Sequence, residues 1–491
     1  MDKKSKPINF LKECYLQLPK YLKVGLPILI AFTIINICFS LFSKTTNHSP
    51  IEPDIDYAFG ANFNHQRYLD TKMYEPLAPN LPQNKLSKSI SLLKYAPNRL
   101  HQGRQGSCVG WACSYAAHTV FYAAGYQRAP NSVAFSPAFA YNQVAGGNCE
   151  GAYLKDALDI LNTIGNLPLR NFNYDEQTCQ ILPTSAEIQQ AQAFKIAGYY
   201  RLSQSIHPSK TSILAIRQHL AQGVPVIAGM QVGGTFLHQM QSRSMWIPTQ
   251  RDFQKGDFFG HAMAIIGYDD EREGGALQFV NSWGSDWGQQ GTTWIRYRDF
   301  LLFAEEIYSF YPTGRSAKFS KNKLAGIVQL IDLDTQHPLD LRADSNLVFR
   351  TQDSIWATQK LKILTHNSVN CYTYILVENE QKKSKILFPY SKNNAAYFGI
   401  TGSRLFPNNR LLPLSNQEKS QHFAIIFSKR ALNWENINNL VNASRQPTFV
   451  EKIRETLKME EVENVEFKEG KAVEFKCDLD GKNAVVVVLE I

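Results

Sequence analysis

The chain has 491 residues, of which 44% are hydrophobic and 19% charged, with eight cysteines and a formal net charge of +9. That length exceeds one ordinary domain. The charge is modest for the length, and six of the lysines lie in the first 23 residues. No arginine run is interleaved with aromatic residues, which argues against a nucleic-acid partner.

Lys3, Lys4, Lys6, Lys12, Lys20 and Lys23 precede Val24–Phe42, in which only Thr33, Asn36 and Ser40 are clearly polar. The apolar run is close to the roughly 20 residues that span a bilayer. Glu52, Asp54 and Asp56 follow it. By the positive-inside rule, residues 1–23 are expected in the cytoplasm and 24–42 form a single-pass signal anchor. The remainder is then extracytoplasmic, periplasmic or on the cell surface. The rival is a cleaved signal peptide and a secreted chain; its apolar core would be unusually long, and no Ala-x-Ala site follows. Cys38 follows Ile35-Asn36-Ile37, a poor match to a lipoprotein site. Residues 43–89 are rich in Pro, Asn and charge, without sustained periodicity, and are expected to form a tether.

Gln102-Gly103-Arg104-Gln105-Gly106-Ser107-Cys108 comes next, then a small-residue run to Ala124. The spacing predicts a turn followed by a buried helix over 108–124, with Cys108 at or near its start. A helix N-terminus lowers a thiol from its ordinary pKa of about 8.5, and a neighbouring imidazolium lowers it further. The N–H of Cys108 and the side-chain amide of Gln102 could together hold an oxyanion, each donor contributing about 3 kcal/mol.

The base candidate is His261, in Gly260-His261-Ala262. Residues 262–268 are strand-like, 269–275 form a charged, glycine-ended turn, and 277–280 are strand-like again, which predicts a β-hairpin. Antiparallel pairing sets His261 and Asn281 nearly opposite, within a residue or two. Asn281 can then accept from one ring nitrogen and leave the other for Cys108, with Trp283 shielding that bond from water. His118 is about 15 Å along the helix from Cys108, and nothing around His101 would orient it. A thiol, its base and the base's orienter are the parts of nucleophilic catalysis by cysteine.

Residues 102–108, 260–268 and 281–291 resemble the three signature blocks of the papain-like cysteine peptidases, over about 90–315. The resemblance implies a two-lobed α+β fold, with a helical lobe and a β-barrel-like lobe. It implies Cys108 as nucleophile, His261 as general acid/base, Asn281 as orienter and Gln102 as oxyanion donor. Val109 stands where an aromatic is usual, Gly260 where an acid is common and Gln105 where a bridging cysteine is common. These departures suggest a distant, bacterial-type branch. Cys149-Glu150-Gly151-Ala152-Tyr153 resembles the ledge that pairs with an extended substrate. Tyr153, Phe259, Ala262 and Gly229 match the pocket for the second residue before the scissile bond, where an apolar side chain is expected. Cys149 and Cys179 fall where the family often has a disulfide. The tether is too short for the large inhibitory prodomain of many members, and autoinhibition by a shorter segment stays open.

No CxxC pair and no HExxH are present, so neither a metal nor another cofactor is expected. Cys113 is expected in the helix core, Cys371 and Cys477 in separate strands. Beyond residue 320, strand-like runs near 324–331, 358–365, 371–378, 384–388, 422–428, 464–468, 471–477 and 483–491 predict a β-sandwich-like accessory domain over 320–491. Short helices are expected at 433–444 and 449–458. This domain is similar to an uncharacterised β-rich domain appended to bacterial peptidases. It could dock substrate or a protein partner, or merely stabilise. The function expected is a membrane-anchored cysteine endopeptidase acting on peptides or proteins through an acyl-enzyme. The alternatives are an inactive papain-fold binding or scaffold protein, or an amide or acyl transferase using the same triad.

Overall fold

The helix that carries Cys108 runs unbroken from Cys108 to Tyr126, as an α-helical turn (Cys108–Gly110), a π-helical stretch (Trp111–His118) and a second α-helical stretch (Thr119–Tyr126). Alanines at 112, 116, 117 and 123 are buried along it, which lets the sheet and neighbouring helices approach closely. The computed structural model describes residues 57–312 and 322–491, apart from 346, 353, 357, 415–419 and 464. The expected cytoplasmic segment, the 24–42 anchor and residues 43–56 of the expected tether lie outside the described residues. Among the described residues no helix is long and apolar enough to cross a membrane.

The helical lobe adds Pro137–Tyr141, Leu154–Thr163 and Ser185–Ala191. In Leu154–Thr163, Leu154, Ala157, Leu158 and Leu161 are buried, the one-faced spacing of an amphipathic helix. The second lobe is an eight-stranded sheet. Along it lie Tyr199–Arg201, Ala304–Phe310, Val226–Val232, Phe259–Asp269, Ala276–Val280, Thr292–Arg296 and Met245–Trp246, and Ser89–Ser91 pairs with Phe259–Asp269. The expected hairpin is there, and its register sets His261 two residues from direct opposition to Asn281, within the residue or two expected. Ala264 pairs with Val280, and a bulge follows between Ile265 and Gly267. A bulge inserts an unpaired residue, which residue spacing does not reveal.

The C-terminal part holds two sheets. Five strands, including Lys323–Asp332, Leu361–Asn367, Gly402–Phe406 and Val473–Asp478, form one; seven, including Cys371–Glu378, His422–Ser428 and Ala484–Glu490, form the other. Val328, Leu330, Ile363, Phe406 and Phe475 of the first pack with Ile375, Phe423, Ile425, Val485 and Val487 of the second, as a sandwich requires. The larger sheet is also buried on its outer face. There Leu376, Ala424, Ile426, Val486 and Val488 meet Ile437, Val441, Phe449, Ile453 and Leu457 of the helices Trp434–Ala443 and Phe449–Leu457. The accessory region is thus a sandwich with one helix-covered face, which explains the unbroken apolar run Val485–Leu489.

Residues 57–89 do not behave as a tether. Tyr57–Phe63 lies along the catalytic region, and His65–Asp70 forms a helix capped by the Asn64 side chain. The segment after it is gripped on both sides. Met73 N–H donates to Asn393 O and Tyr74 N–H to Arg201 O, while Ala78 N–H donates to Ser403 O. Glu75 and Arg404 are buried together: Arg404 Nε donates to Glu75 O at 2.9 Å and Asn408 Nδ2 to Glu75 Oε1 at 2.9 Å. Ala395, Tyr397 and Ile400 of the C-terminal part complete the catalytic core, with Tyr397 stacked on Tyr311 at 4.6 Å. The composition of 57–89 is that of a solvated linker, but its polar groups are paired with protein rather than with water.

Candidate active site

Cys108 is the first residue of its helix, reached through the Gly103–Ser107 turn. That turn is braced by Tyr174, whose hydroxyl lies 2.6 Å from Ser107 Oγ and donates to Gln102 O at 2.6 Å. Gln102 is held from the sheet side. Its N–H donates to Ser282 O at 2.8 Å, and its Oε1 accepts from Ser282 Oγ at 2.6 Å. With the carbonyl end fixed, the amide nitrogen points away from Ser282, donating to Gln105 O at 3.0 Å and Ala58 O at 3.2 Å.

His261 lies near the start of the strand Phe259–Asp269 and Asn281 directly after Ala276–Val280. His261 Nε2 is 2.7 Å from Asn281 Oδ1. Asn281 Oδ1 also accepts from Ser282 N–H at 2.8 Å, which fixes the amide's orientation. His261 Nδ1 is buried and, among the described residues, has no hydrogen-bond partner. Trp283 stacks on the imidazole with ring centroids 4.3 Å apart. The Ala262 amide, next to His261, acts on the Cys108 sulfur as a hydrogen-bond donor. The structure therefore brings Cys108, His261, Asn281, Gln102 and Trp283 into one site.

The electrostatics differ from the lowered thiol expected at a helix start. Both Cys108 and His261 are 0% exposed. Burial pushes the Cys108 thiol up to about 12, against the amides of Ala262, Val109 and Cys108 itself, which lower it. Burial likewise pushes His261 down to about 4, against its bond to Asn281, which raises it. The covered pair is a neutral thiol beside a neutral imidazole, because desolvation outweighs the local dipoles. His118, stacked on Phe135 at 4.0 Å, is a buried neutral core histidine.

What covers the pair is the chain's own N-terminal segment. Ala61 pairs in parallel with Ala152 and Asn62 with Tyr153. Gly60 N–H donates to Gly260 O at 3.2 Å, and Ala152 N–H donates to Gly60 O at 2.9 Å. Ala58 O accepts from both Gln102 Nε2 and Trp283 Nε1. Tyr57 stacks on Trp283, and Phe59 meets the edges of His261 and Trp283. Gly60 has φ of +142°, and a Cβ there would lie 2.5 Å from the carbonyl carbon of Gly106.

The expected substrate-binding residues are met by this segment in part. Gly151, Ala152 and Tyr153 form its ledge. Gly229 faces the Phe63 ring and pairs with Ala262 across the sheet. Phe259, 53% exposed, contacts Phe59 of the segment, whereas the Tyr153 ring lies under Arg67, beyond it. Cys149 and Cys179 are joined by a disulfide, and Cys149 O accepts from Gly106 N–H, tying the ledge to the nucleophile turn. Cys113, Cys371 and Cys477 are free, the first two buried. Sequence spacing missed Tyr174 as a brace and missed the covering segment, since neither carries a periodic or motif signal, and it gave Ser282, inside the 281–291 block, no role of its own.

Residues 97–306 match the model of the papain family of cysteine proteases. Residues 97–306 are a papain-family cysteine protease domain, and the chain is a cysteine peptidase. Its papain-like region can be laid on solved structures. Xylellain, a cysteine protease from Xylella fastidiosa, matches at 22% identity over 53% of this chain and 97% of its own, with a TM-score of 0.42. Digestive procathepsin L 3 of Tenebrio molitor matches at 16% identity over 61% and 98%, with a TM-score of 0.38. No curated protein matches the chain.

Proposed function

We propose that this papain-family peptidase is an endopeptidase anchored by residues 24–42, with its catalytic region outside the cytoplasm, and that Tyr57–Phe63 holds it inactive until displaced. One observation carries the catalytic part. Gln102 Nε2 donates to a peptide carbonyl, that of Ala58, beside a His261 whose second nitrogen is fixed by Asn281.

The residues supply each step. Once Tyr57–Phe63 withdraws, the Cys108 S–H passes its proton to His261 Nδ1. The thiolate adds to the substrate carbonyl, whose oxygen takes the negative charge and is held by Gln102 Nε2 and the Cys108 N–H. The C–N bond breaks, and His261 returns the proton to the leaving amine. Water, deprotonated by His261, then attacks the thioester and frees Cys108. Asn281 keeps the imidazole in the tautomer and orientation this needs.

An apolar anchor preceded by lysines and followed by acids supports the location, as does the Cys149–Cys179 disulfide, a bond kept in oxidising compartments. Gly60, Ala58 and Phe63 support the inhibitory role, since they occupy the ledge, the oxyanion donor and the substrate pocket together.

The test is mass spectrometry of the full chain after an epoxysuccinyl thiol trap, beside Cys108→Ala and His261→Ala. Peptide hydrolysis to a new carboxylate is scored in parallel. Labelling confined to Cys108 and lost in His261→Ala is expected. Labelling no faster than at the other thiols, even after the covering segment is displaced, would favour an inactive binding fold. A peptide adduct in place of a carboxylate would favour a transferase.

A further inference from the structure

The C-terminal sandwich has a cavity of about 600 Å³ at one end, between its two sheets. One wall is the end of the seven-stranded sheet. Tyr372 pairs with Ser428 and Ser428 with Ala484, which sets Asn370, Lys429, Arg430 and Asn483 side by side where those strands begin and stop. The other wall is the end of the five-stranded sheet, where Asp478 pairs with Lys323. The turn at 479–482 joins the two walls. Loops at the end of a rigid sandwich are a common place for binding residues.

The walls differ in sign. Lys429 and Arg430 line the first, and Asp478 and the turn residue Asp480 line the second. Among the described residues the lining holds no aromatic side chain and one aliphatic one, Leu479, so it suits a charged ligand better than an apolar one. Lys429 is held in position: its Nζ donates to Asn370 O at 2.6 Å and to Asn370 Oδ1 at 2.9 Å. Asn370 is itself fixed, being buried and donating from Nδ2 to Tyr397 OH at 3.1 Å. Burial lowers Lys429 to about 8, so its ammonium gains from an added anion. Lys482 is engaged elsewhere, its Nζ donating to Lys458 O at 3.0 Å. Asp478 meets Lys323 at 3.5 Å with both side chains well exposed, a weak pair that a ligand can replace.

We propose that this cavity binds short peptides by their two free ends, the terminal carboxylate on Lys429 and Arg430 and the terminal ammonium on Asp478 and Asp480. A carboxylate accepts charge-assisted bonds from an ammonium and a guanidinium together. A simple anion such as phosphate would use the cations alone and leave two carboxylates facing it, so the mixed lining favours a zwitterion. The volume lies within the ordinary range for small-ligand sites and gives room for a few residues. Peptides with two free ends are what peptide hydrolysis releases, which makes the accessory region a receiver of products. That link alone rests on the peptidase reading; the binding itself does not involve Cys108.

The test is equilibrium dialysis of radiolabelled tri-alanine with both ends free against the full Cys108→Ala chain, which cannot cleave it. The competitors are unlabelled tri-alanine, its N-acetyl and C-amide forms, and inorganic phosphate. Tri-alanine should bind, and blocking either end should weaken competition by about tenfold or more, as for a charge pair contributing about 1.4 kcal/mol. Lys429→Met should abolish binding. Arg430→Gln and Asp480→Asn, at exposed positions that leave the fold intact, should each weaken it by about tenfold. Absence of tri-alanine binding overturns the proposal, as does equal competition by the blocked forms. Phosphate competing as well as tri-alanine makes this a plain anion site and overturns it. Binding unchanged in Arg430→Gln and Asp480→Asn lies elsewhere on the chain and overturns it too. Peptide hydrolysis by the parent chain is scored separately, and its absence overturns the peptidase reading while the binding result stands.

Discussion

Gly60 passes so close to the Gly106 backbone that it can carry no side chain there: a Cβ on Gly60 would sit 2.5 Å from the Gly106 carbonyl carbon, and Gly106 is itself held on its other side, where a Cβ would lie 2.6 Å from Glu150 O. The contact joins the covering segment to the turn that presents Cys108. Both partners are backbone, so no rotamer change relieves an added methyl. Gly60→Ala should therefore expel Tyr57–Phe63 while leaving Cys108, His261 and Asn281 untouched. Trapping at Cys108 should speed up by at least about tenfold, the equivalent of roughly 1.4 kcal/mol of lost covering contact. An unchanged trapping rate in a folded Gly60→Ala chain would sink the inhibitory role of the segment.

The same variant reports on the thiol. Under the covering segment burial pushes Cys108 up to about 12. A raised thiol pKa leaves the neutral form dominant at neutral pH, so the thiolate-dependent labelling rate of the parent should still be climbing above pH 9. With the segment expelled, water returns and the helix start and imidazole act on the thiol. The labelling midpoint should then fall to or below the ordinary value of about 8.5. The measurement is the labelling rate of each chain from pH 5 to 10.

Gln102 and Ser282 make a second pair with a measurable consequence. Ser282 Oγ fixes Gln102 Oε1 at 2.6 Å, so the hydroxyl decides where the amide N–H points. Gln102→Ala should lower kcat by about 10²–10³ with little change in KM. Ser282→Ala should lower kcat by less, because it leaves the donor present and only frees its orientation. A larger loss in Ser282→Ala than in Gln102→Ala would contradict this order of roles.

Glu75 gives the fold a pH dependence. Burial raises its carboxyl from 4.5 to about 7, with Arg404 and the Asn408 bond opposing. A carboxyl raised on folding contributes stability in full below its unfolded value, and that contribution is lost as pH rises through about 7. Glu75→Gln keeps the acceptor for Asn408 and removes the charge. Its denaturation midpoint should match the parent near pH 4.5 and exceed it at pH 8, by up to a few kcal/mol. Arg404→Ala should instead destabilise at both pH values by about 3–5 kcal/mol, the cost of breaking a buried polar cluster from one side. Denaturant titration of the three chains at both pH values decides it.

The Cys149–Cys179 bridge closes a loop across a sequence separation of 30. Cys149→Ser should cost about 3–4 kcal/mol, the chain-entropy value for a loop of that size. Because Cys149 O holds Gly106 N–H, it should also raise KM through the ledge. Loss of stability with an unchanged KM would separate the bridge from substrate binding.

How much of this was legible depended on the kind of signal. The helix from Cys108, the strands around 226–232 and 259–269 and most C-terminal strands follow from apolar periodicity, which local sequence carries. The strands Leu341–Ala343, Val348–Thr351 and Gly402–Phe406 do not, since they are short or mixed in character and are held by pairing partners far away in sequence. The register of the 259–280 hairpin was legible only to within two residues, because a bulge is invisible to residue spacing.

The sequence by itself determined the chemistry: a cysteine after a glycine-bearing turn, a histidine and an asparagine flanking a hairpin, and a glutamine close enough to serve the same carbonyl. Short-range backbone constraints fix those residues, so they can be read along the chain. Only the tertiary structure decided that residues 57–63 fill the cleft, that burial rather than the helix start governs the Cys108 thiol, and that Glu306 stands opposite Gly229 on paired strands. Those outcomes depend on which surfaces exclude water from one another and on pairing between distant strands. Neither quantity is written in any local run of residues.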